Sequence, residues 1–263
     1  MTPGPTRVES HSNPRLKLAR SLSSTRGVRK SGRYLLEGPR FVGDAAGRGT
    51  IDYIILSDGA TDPARTAAAR AMQAGLACIS LPAGLFDEVS ETATTQGLAA
   101  VCRLPGHTGQ DLLKGSLILA LDGVSDPGNV GTAIRSAAAL GASGVAVLKG
   151  SACPFIAAAA RASAGAVSSL PVVERLEADP FLTSAINAGW KVLAAKAHGR
   201  PVAPSDGGDK TVLLVGSEAH GIGDAAGRLA HDAVSVPITD NVESLNAAAS
   251  AAILLYVLAG SGR

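Results

Sequence analysis

Short apolar runs alternate with segments of helical periodicity from residue 117 to residue 259. The runs hold few charged residues, which is typical of strands buried on both faces of a parallel sheet. Parallel neighbours need long crossovers, and the intervening segments are long enough to form helices. This order predicts an α/β fold with a mostly parallel sheet, helices on both faces, and ligands beyond the carboxyl ends of the strands. The predicted strands are residues 117–121, 144–148, 170–173, 191–195, 211–215 and 233–236, and the predicted helices are residues 129–140, 154–166, 180–188, 222–230 and 245–259.

The first hundred residues predict a separate, smaller α/β domain. Residues 105–110, Pro-Gly-His-Thr-Gly-Gln, are rich in turn formers and lie between two periodic regions, so they predict a linker. We therefore expect a disordered basic arm at residues 1–12, an N-terminal domain at residues 13–106 and a second domain at residues 112–263. The predicted elements of the N-terminal domain are strands at residues 51–57, 76–81 and 98–102 and helices at residues 63–74 and 82–91, with a further helix starting near Pro39.

Positive charge is concentrated at the N-terminus. Residues 1–40 hold nine Lys or Arg against two Glu, a net charge of +7, whereas the whole chain carries only +2. Such asymmetry predicts a basic surface that binds a polyanion, because neutralising phosphates supplies most of the non-specific affinity for nucleic acid. The alternative is that these residues form a solvated basic helix that binds no nucleic acid. The candidate RNA contacts are Arg29, Lys30 and Arg33, in a predicted loop that leads into a short strand.

Other features argue against membrane, redox and metal roles. The N-terminus lacks a basic segment followed by an apolar stretch, so no signal peptide is predicted. The apolar run at residues 247–259 is shorter than the ~20 residues of a membrane span and predicts a buried helix. Cys78, Cys102 and Cys153 are isolated and lack the spacing of a metal or redox motif. We expect a cytoplasmic protein without a metal or a membrane partner.

A first polar loop follows the predicted strand at residues 117–121. Asn129 stands where a helix N-cap belongs, and Arg135 is the one charged residue of the small, apolar helix that follows. Because helical side chains tilt toward the N-terminus, the guanidinium of Arg135 can reach back toward Asn129 and the loop. The alternative for Arg135 is an ordinary surface arginine.

Two further loops follow predicted strands at residues 211–215 and 233–236. One contains Gly216, Glu218, Gly221 and Gly223, but it is neither a dinucleotide fingerprint nor a Walker A loop. Its glycines either allow the backbone to approach a ligand or form the turn into a helix. In the other loop Ser244 is the predicted N-cap of the last helix, and a capped N-terminus can also bind an anion. No Gly-x-Ser-x-Gly elbow and no histidine triad pattern is present, which argues against nucleophilic catalysis.

Together the three loops resemble a known family. Asn129-x-Gly131-x-x-x-Arg135, Gly216-x-Glu218-x-x-Gly221 and Val236-Pro237-Ile238 with Ser244-Leu245-Asn246 are similar, in order and spacing, to the three motifs of the SpoU (TrmH-like) RNA 2′-O-ribose methyltransferases of the SPOUT superfamily. Arg33-Tyr34-Leu35-Leu36-Glu37-Gly38 and Gln96-Gly97-Leu98-Ala99-Ala100-Val101 resemble the substrate-binding domain of the rRNA-directed members. Ile238 departs from the methionine that commonly follows the proline, and alanines follow Asn246.

The resemblance implies a deep trefoil knot in the second domain, S-adenosylmethionine as methyl donor, rRNA as substrate, and a homodimer with its active site at the interface. General topology rules alone favour an unknotted chain. The residues that would line the donor pocket are Gly216, Val236, Ile238 and Leu245.

The resemblance also implies roles for five catalytic residues. Arg135 would hold the phosphate beside the target ribose and help to remove the 2′-hydroxyl proton, Asn129 would orient that ribose or Arg135, and Glu218 would support the pocket. Ser244 and Asn246 would contact a substrate phosphate or the methionine end of the donor. Arginine rarely loses its proton, so stabilisation of a developing oxyanion is the leading role for Arg135, with a phosphate-assisted base as the alternative.

Two other functions fit parts of the sequence. An RNA-binding protein could keep this fold without catalysis, but intact Asn129, Arg135, Glu218 and Asn246 argue against it. A nicotinamide-dependent oxidoreductase could use a doubly wound sheet, but the dinucleotide fingerprint is missing.

Overall fold

A computed structural model describes residues 4–92, 94–239 and 241–260. Its strands are β1 (Thr6–Arg7), β2 (Arg33–Glu37), β3 (Ile51–Ser57), β4 (Ala77–Leu81), β5 (Leu98–Arg103), β6 (Leu117–Asp122), β7 (Gly144–Leu148), β8 (Val172–Leu176), β9 (Lys191–Pro201), β10 (Thr211–Gly216) and β11 (Asp232–Ser235). Its helices are α1 (Pro14–Ser21), α2 (Thr25–Ser31), α3 (Pro39–Ala46), α4 (Asp62–Gln73), α5 (Ala83–Asp87), α6 (Gly109–Leu112), α7 (Pro127–Ala139), α8 (Ala157–Ala162), α9 (Ala178–Asn187), α10 (Asp224–Arg228) and α11 (Ala247–Ala259).

The chain divides into two compact units. The first comprises Met1–Pro105 and Phe155–Gly165, and the second comprises Gly106–Pro154 and Ala166–Arg263. The segment Phe155–Gly165, which includes α8, therefore belongs to the first unit although the sequence places it between β7 and β8. The ring of Phe155 lies 5.5 Å from that of Tyr34 on β2. The sequence predicted an unbroken second domain over residues 112–263 and gave no sign of this insertion.

The first unit is built on a five-stranded sheet in the order β1-β4-β3-β5-β2. The prediction of a disordered arm is wrong for Thr6 and Arg7, which pair with Ile79 and Ser80 of β4; residues 1–3 lie outside the described part of the chain. The predicted basic loop is also wrong, because Arg29 and Lys30 lie on α2.

Local hydrogen bonds explain why α2 forms. The hydroxyl of Ser24 accepts a hydrogen bond from the Gly27 amide at the N-terminus, and Gly32 ends the helix in the left-handed conformation with φ 65°. Val28 anchors the inner face and is fully buried.

The second unit carries a six-stranded, wholly parallel sheet in the order β11-β9-β10-β6-β7-β8. This confirms the predicted α/β class and the mostly parallel sheet. Alternate residues of the central strand β6 bury both of its faces. Ile118 and Ala120 join a core cluster with Phe181 and Leu182 of α9, while α11 packs against α7 and β10. The strand bounds differ most from prediction at β8, which both begins and ends later, and at β9, which runs on to Pro201; β6, β10 and β11 differ by one residue.

Both predicted helix caps lie at the wrong residue. The side chain of Asp126, not that of Asn129, caps α7 by accepting a hydrogen bond of 2.7 Å from the Asn129 amide. Asn246, not Ser244, caps α11. In each case a second cap-forming residue lies two or three positions away, and both predictions chose the wrong member of the pair.

The apolar α11 is only partly buried. Leu254 and Leu255 face the interior, whereas Ile253 and Tyr256 are 40% and 70% exposed, so the predicted buried helix is correct for one side only. Among the described residues, no helix is both long and apolar enough to cross a membrane.

Candidate active site

The three polar loops lie at one edge of the six-stranded sheet. β6 and β10 are adjacent parallel strands, with Gly216 paired to Asp122 at their carboxyl ends, and β11 lies beyond β9. A hydrogen bond of 2.8 Å from the Gly223 amide to the Asp122 carboxylate also holds the loop after β10 against the end of β6. The convergence expected from parallel strands is therefore present.

A chain of hydrogen bonds joins one residue from each loop. Asn246 donates from Nδ2 to Oδ1 of Asn129 at 2.9 Å, and Asn129 donates from Nδ2 to Oε1 of Glu218 at 2.5 Å. The Asn246 end of this chain is anchored to the protein backbone, since Oδ1 of Asn246 accepts hydrogen bonds from the amides of Ala248 and Ala249 at the start of α11.

This arrangement sets the direction of the whole chain. Oδ1 of Asn246 must accept because its partners are backbone N–H groups, so its Nδ2 must donate. Asn129 then accepts with its oxygen and donates with its nitrogen, and Glu218 is left as the final acceptor. A carboxylate suits that position because it offers only acceptor oxygens. The helix N-terminus thus orders Asn129 and Glu218 through Asn246.

Beside this chain lies a cavity of ≈ 390 Å³. Its volume is at the lower end of the range usual for small-molecule sites, which is about 300–1,000 Å³. All four predicted donor-pocket residues line it, as do two of the predicted catalytic residues; these six are Gly216, Val236, Ile238, Leu245, Glu218 and Ser244.

Glycine is required at Gly216 by a close approach of the backbone. Ser217 and Gly221 exchange two backbone hydrogen bonds of 2.9 Å, so the loop after β10 folds back on itself. A Cβ at Gly216 would lie 2.1 Å from the carbonyl carbon of Gly221. Gly221 itself has φ +66°, in the left-handed region. Both glycines shape the wall of the cavity, which favours the close-approach interpretation of this loop.

Arg135 lies on the exposed side of α7, about one and a half turns beyond Asn129. No hydrogen bond or ion pair of its side chain is found within residues 4–92, 94–239 and 241–260. Its guanidinium is therefore available to an external anion. The hydrogen-bonded chain brings together Asn129, Glu218 and Asn246 but does not include Arg135 or Ser244.

Sequence reasoning missed one wall of the cavity. Ala195, Lys196 and Ala197 line it from the far part of β9. The rule that ligands bind beyond the carboxyl ends of strands could have indicated this wall, but the residues that follow the predicted strand at 191–195 form no recognisable motif. Its position between β10 and β11 is a property of strand order, which the sequence does not display.

The predicted RNA contacts lie in the first unit and differ in their surroundings. Arg29 and Lys30 are exposed on α2. Arg33 is partly buried; it donates to Asp52 at 2.5 Å and to the Ser31 carbonyl at 2.7 Å, and Asp52 also accepts from Arg103. The charge of Arg33 is thus already opposed within the protein.

Among the described residues, no group of three or more His, Cys, Asp or Glu is placed to hold a metal ion.

Comparison with known proteins places this fold and site in the SpoU class of RNA methyltransferases. The family model described as "SpoU rRNA Methylase family" matches residues 116–256, and the one described as "MRM3-like substrate binding domain" matches residues 13–100. The chain belongs to the SpoU rRNA methylase family. This confirms the predicted family, the S-adenosylmethionine-dependent RNA 2′-O-ribose methyltransferases.

Particular relatives span nearly the whole chain. The 23S rRNA (guanosine(2553)-2′-O)-methyltransferase RlmP of Bacillus subtilis is 31% identical over 255 residues, which is 96% of this chain and 99% of that protein. The AdoMet-bound rRNA methyltransferase of Sinorhizobium meliloti superposes with a TM-score of 0.82 at 26% identity, over 96% of this chain and 97% of that one. The AdoMet complex of AviRb from Streptomyces viridochromogenes gives a TM-score of 0.81 at 25% identity, over 94% and 98%.

Proposed function

We propose that this protein transfers the methyl group of S-adenosylmethionine to a ribose 2′-hydroxyl of ribosomal RNA, in the cytoplasm. The observation that carries the proposal is the hydrogen-bonded chain from Asn246 through Asn129 to Glu218, which joins the three motif loops beside one cavity. The rRNA substrate is supported by the RlmP relative and by the match of residues 13–100 to a substrate-binding domain.

The residues of the cavity fit the donor. Gly216 and Gly221 leave backbone exposed, Val236, Ile238 and Leu245 supply an apolar wall, and the volume suits a molecule of this size. These residues would hold the donor, which supplies an electrophilic methyl group on a sulfonium. Ser244 lies at the cavity wall and Asn246 at the start of α11, where they would contact the methionine end of the donor or a substrate phosphate.

Arg135 would act on the RNA side of the site. Because its guanidinium is exposed and has no protein partner among the described residues, it can bind the phosphate next to the target ribose. From there it would stabilise the negative charge that develops on the 2′-oxygen as the proton leaves. Asn129, held by Asn246 and Glu218, would orient the ribose or Arg135.

We further propose a homodimer. Ile253 and Tyr256 lie three positions apart on the outer face of α11, and large exposed apolar side chains grouped in this way mark interaction surfaces. Replacing Tyr256 with glutamate should place a charge in the interface and dissociate the dimer. Sedimentation equilibrium should give twice the 26.2 kDa chain mass for the wild type and one chain mass for the variant. Thr183→Glu, on the exposed side of α9, is the control, and a monomeric wild type would refute the dimer.

A knotted second unit is part of the proposal. The chain leaves β10 in the middle of the sheet, forms β11 outside β9, and returns to α11, which packs on α7 and β10. A return of this kind is needed if the last helix is to pass through an earlier loop, and it supports the knot that the family implies.

The basic side of α2 should contribute to RNA affinity. Replacing Arg29 and Lys30 with glutamine should weaken binding and make the negative slope of log affinity against log salt less steep, by roughly 0.9 for each phosphate that these side chains neutralise. Lys114→Gln, which removes an exposed lysine paired with Asp111, is the control. Arg33→Gln should change the slope less than Lys30→Gln alone, because Asp52 already opposes the charge of Arg33. An unchanged slope in the Arg29 and Lys30 variant would show that α2 does not contact RNA.

Incubation with methyl-labelled donor and rRNA, followed by nuclease digestion, tests the proposed reaction. We expect label in 2′-O-methylated nucleosides. RNA binding without transfer would support the catalytically silent alternative, and binding of a nicotinamide cofactor without either would support the oxidoreductase.

A further inference from the structure

Strand β9 makes a long excursion from the sheet. Ala194 pairs with Ala233 of β11, and the next pair joins Arg200 to Val234. Five residues of β9, numbered 195–199, therefore fit between two consecutive residues of β11. Their place in the molecule is at the cavity, since Ala195, Lys196 and Ala197 line it. We call residues 195–199 the β9 excursion.

The backbone closes the base of the β9 excursion. A Cβ on Gly199 would lie 2.7 Å from the carbonyl carbon of Val234. The two strands therefore approach so closely here that only glycine fits. Ser235 adds a hydrogen bond of 2.8 Å from its hydroxyl to the Gly199 carbonyl. These contacts fix where the excursion ends but leave its outer residues without ladder partners on β11.

Arg200 follows the excursion directly and binds two carboxylates. Its Nη1 and Nη2 donate to the two oxygens of Asp206 at 2.7 and 2.5 Å, and its Nε and Nη2 donate to one oxygen of Asp232 at 2.9 and 2.7 Å. The Asp206 side chain is only 7% exposed and also accepts from the Ala203 amide. Arg200 thus ties the end of the excursion to the start of β11 and to the turn before β10.

Most exposed ion pairs add little to stability, but a bidentate arginine on a buried carboxylate has a defined geometry. Three chain segments meet at this guanidinium, and one of them forms a wall of the cavity. The structure assigns Arg200 a positioning role in donor binding: it holds the β9 excursion in place as that wall. This inference rests on the proposed location of the donor in the cavity.

The charges of the Arg200–Asp206 ion pair do not change with pH in the physiological range. The hydrogen bonds from Arg200 hold the pKa of Asp206 at about 2, and they also lower the pKa of Asp232. A lowered carboxylate pKa stabilises the fold above the ordinary value near 4, and that stabilisation is lost as the pH falls toward 2. The charges of Arg200, Asp206 and Asp232 should therefore stay constant between about pH 5 and 8.

The test compares Arg200→Ala with the wild type in three measurements. Calorimetry should show a donor Kd raised about tenfold or more, because a wall that is no longer held in place must be ordered when the donor binds, and that ordering costs affinity. The donor KM should rise with it, while kcat at saturating donor stays within about twofold, because the excursion does not carry the reacting groups. Hydrogen exchange without donor should be faster at the amides of residues 195–199.

Two further variants guard against loss of folding and non-specific effects. Asp232→Asn keeps the bidentate pair with Asp206, so it should fold and raise the donor Kd by a smaller factor than Arg200→Ala. Lys149→Ala removes an exposed ion pair with Glu177 in the same unit and should leave the donor Kd unchanged. If Arg200→Ala does not fold, an unchanged donor Kd and unchanged exchange in Asp232→Asn overturn the inference.

The outcomes separate this inference from the proposed function. A folded Arg200→Ala protein with wild-type donor Kd would overturn the positioning role and leave the methyltransferase intact. A loss of kcat with unchanged KM would also overturn it. Failure of the wild type to bind donor at all would instead refute the placement of the donor on which the inference rests.

Discussion

Gly216→Ala should weaken donor binding by at least about 100-fold in a protein that still folds. The new methyl group would lie 2.1 Å from the Gly221 carbonyl carbon and 2.3 Å from its oxygen, and both are backbone atoms that cannot rotate away. The loop after β10 must therefore move into the cavity or open its two hydrogen bonds. We expect the donor Kd to rise by at least about 100-fold, which corresponds to ~2.7 kcal/mol.

Stability must be measured with affinity for this variant. Overpacking costs typically about 1–3 kcal/mol, so thermal unfolding should show a lower but cooperative transition. Gly106→Ala is a matched control, because a Cβ there meets no atom within 4 Å, and it should keep both stability and donor affinity. A folded Gly216→Ala protein with the affinity of the wild type would show that this loop does not contact the donor.

Arg135→Ala should stop methyl transfer and leave donor affinity within about tenfold, because the guanidinium serves the RNA side of the site. Removing one group that stabilises a developing oxyanion costs about 10²–10³ in kcat, and removal of the phosphate-binding group adds to this. Single-turnover transfer from labelled donor measures the first effect, and calorimetry with donor alone measures the second. Arg135→Lys should recover only part of the activity, since a lysine lacks the planar, bidentate fork.

A second arginine provides the control for Arg135. Arg228 is exposed on α10 in the same unit, and its replacement by alanine should leave transfer unchanged. A folded Arg135→Ala protein that transfers methyl groups at the rate of the wild type would remove Arg135 from the reaction. A large loss of donor affinity would place its side chain on the donor instead of the RNA.

The parallel sheet and the convergence of the three polar loops could be predicted because both follow from local signals. Buried parallel strands are apolar along their whole length, and parallel strands bring their carboxyl ends to one edge. Asn129, Glu218 and Asn246 could therefore be expected together, although 117 positions separate the first from the last. The polarity of their hydrogen bonds could not be predicted, because it depends on Asn246 as the cap of α11.

The missed features depend on contacts between distant segments. The β9 excursion contains Lys196 and His198 in an otherwise small-residue stretch, which by itself indicates only a loop. Its importance follows from the pairing of Arg200 with Val234 and from the two carboxylates that bind Arg200. The insertion of Phe155–Gly165 into the first unit likewise rests on packing against β2.

The α2 error has a different cause. Gly27 lowers helix propensity, but its Cβ would lie 1.8 Å from the Ser21 carbonyl oxygen, so glycine is needed where this helix meets the end of α1. The Ser24 cap and the Gly32 terminus outweigh the low helix propensity of Gly27. Basic residues that were expected in a loop therefore project from one helix.

A crystal structure with S-adenosylhomocysteine bound would show whether the three motif loops form one donor site. We expect the ligand in the cavity between Gly216, Ile238 and Leu245, with its sulfur facing the side on which Asn129 lies. A ligand bound at the amino ends of the strands, or anywhere outside that cavity, would contradict it.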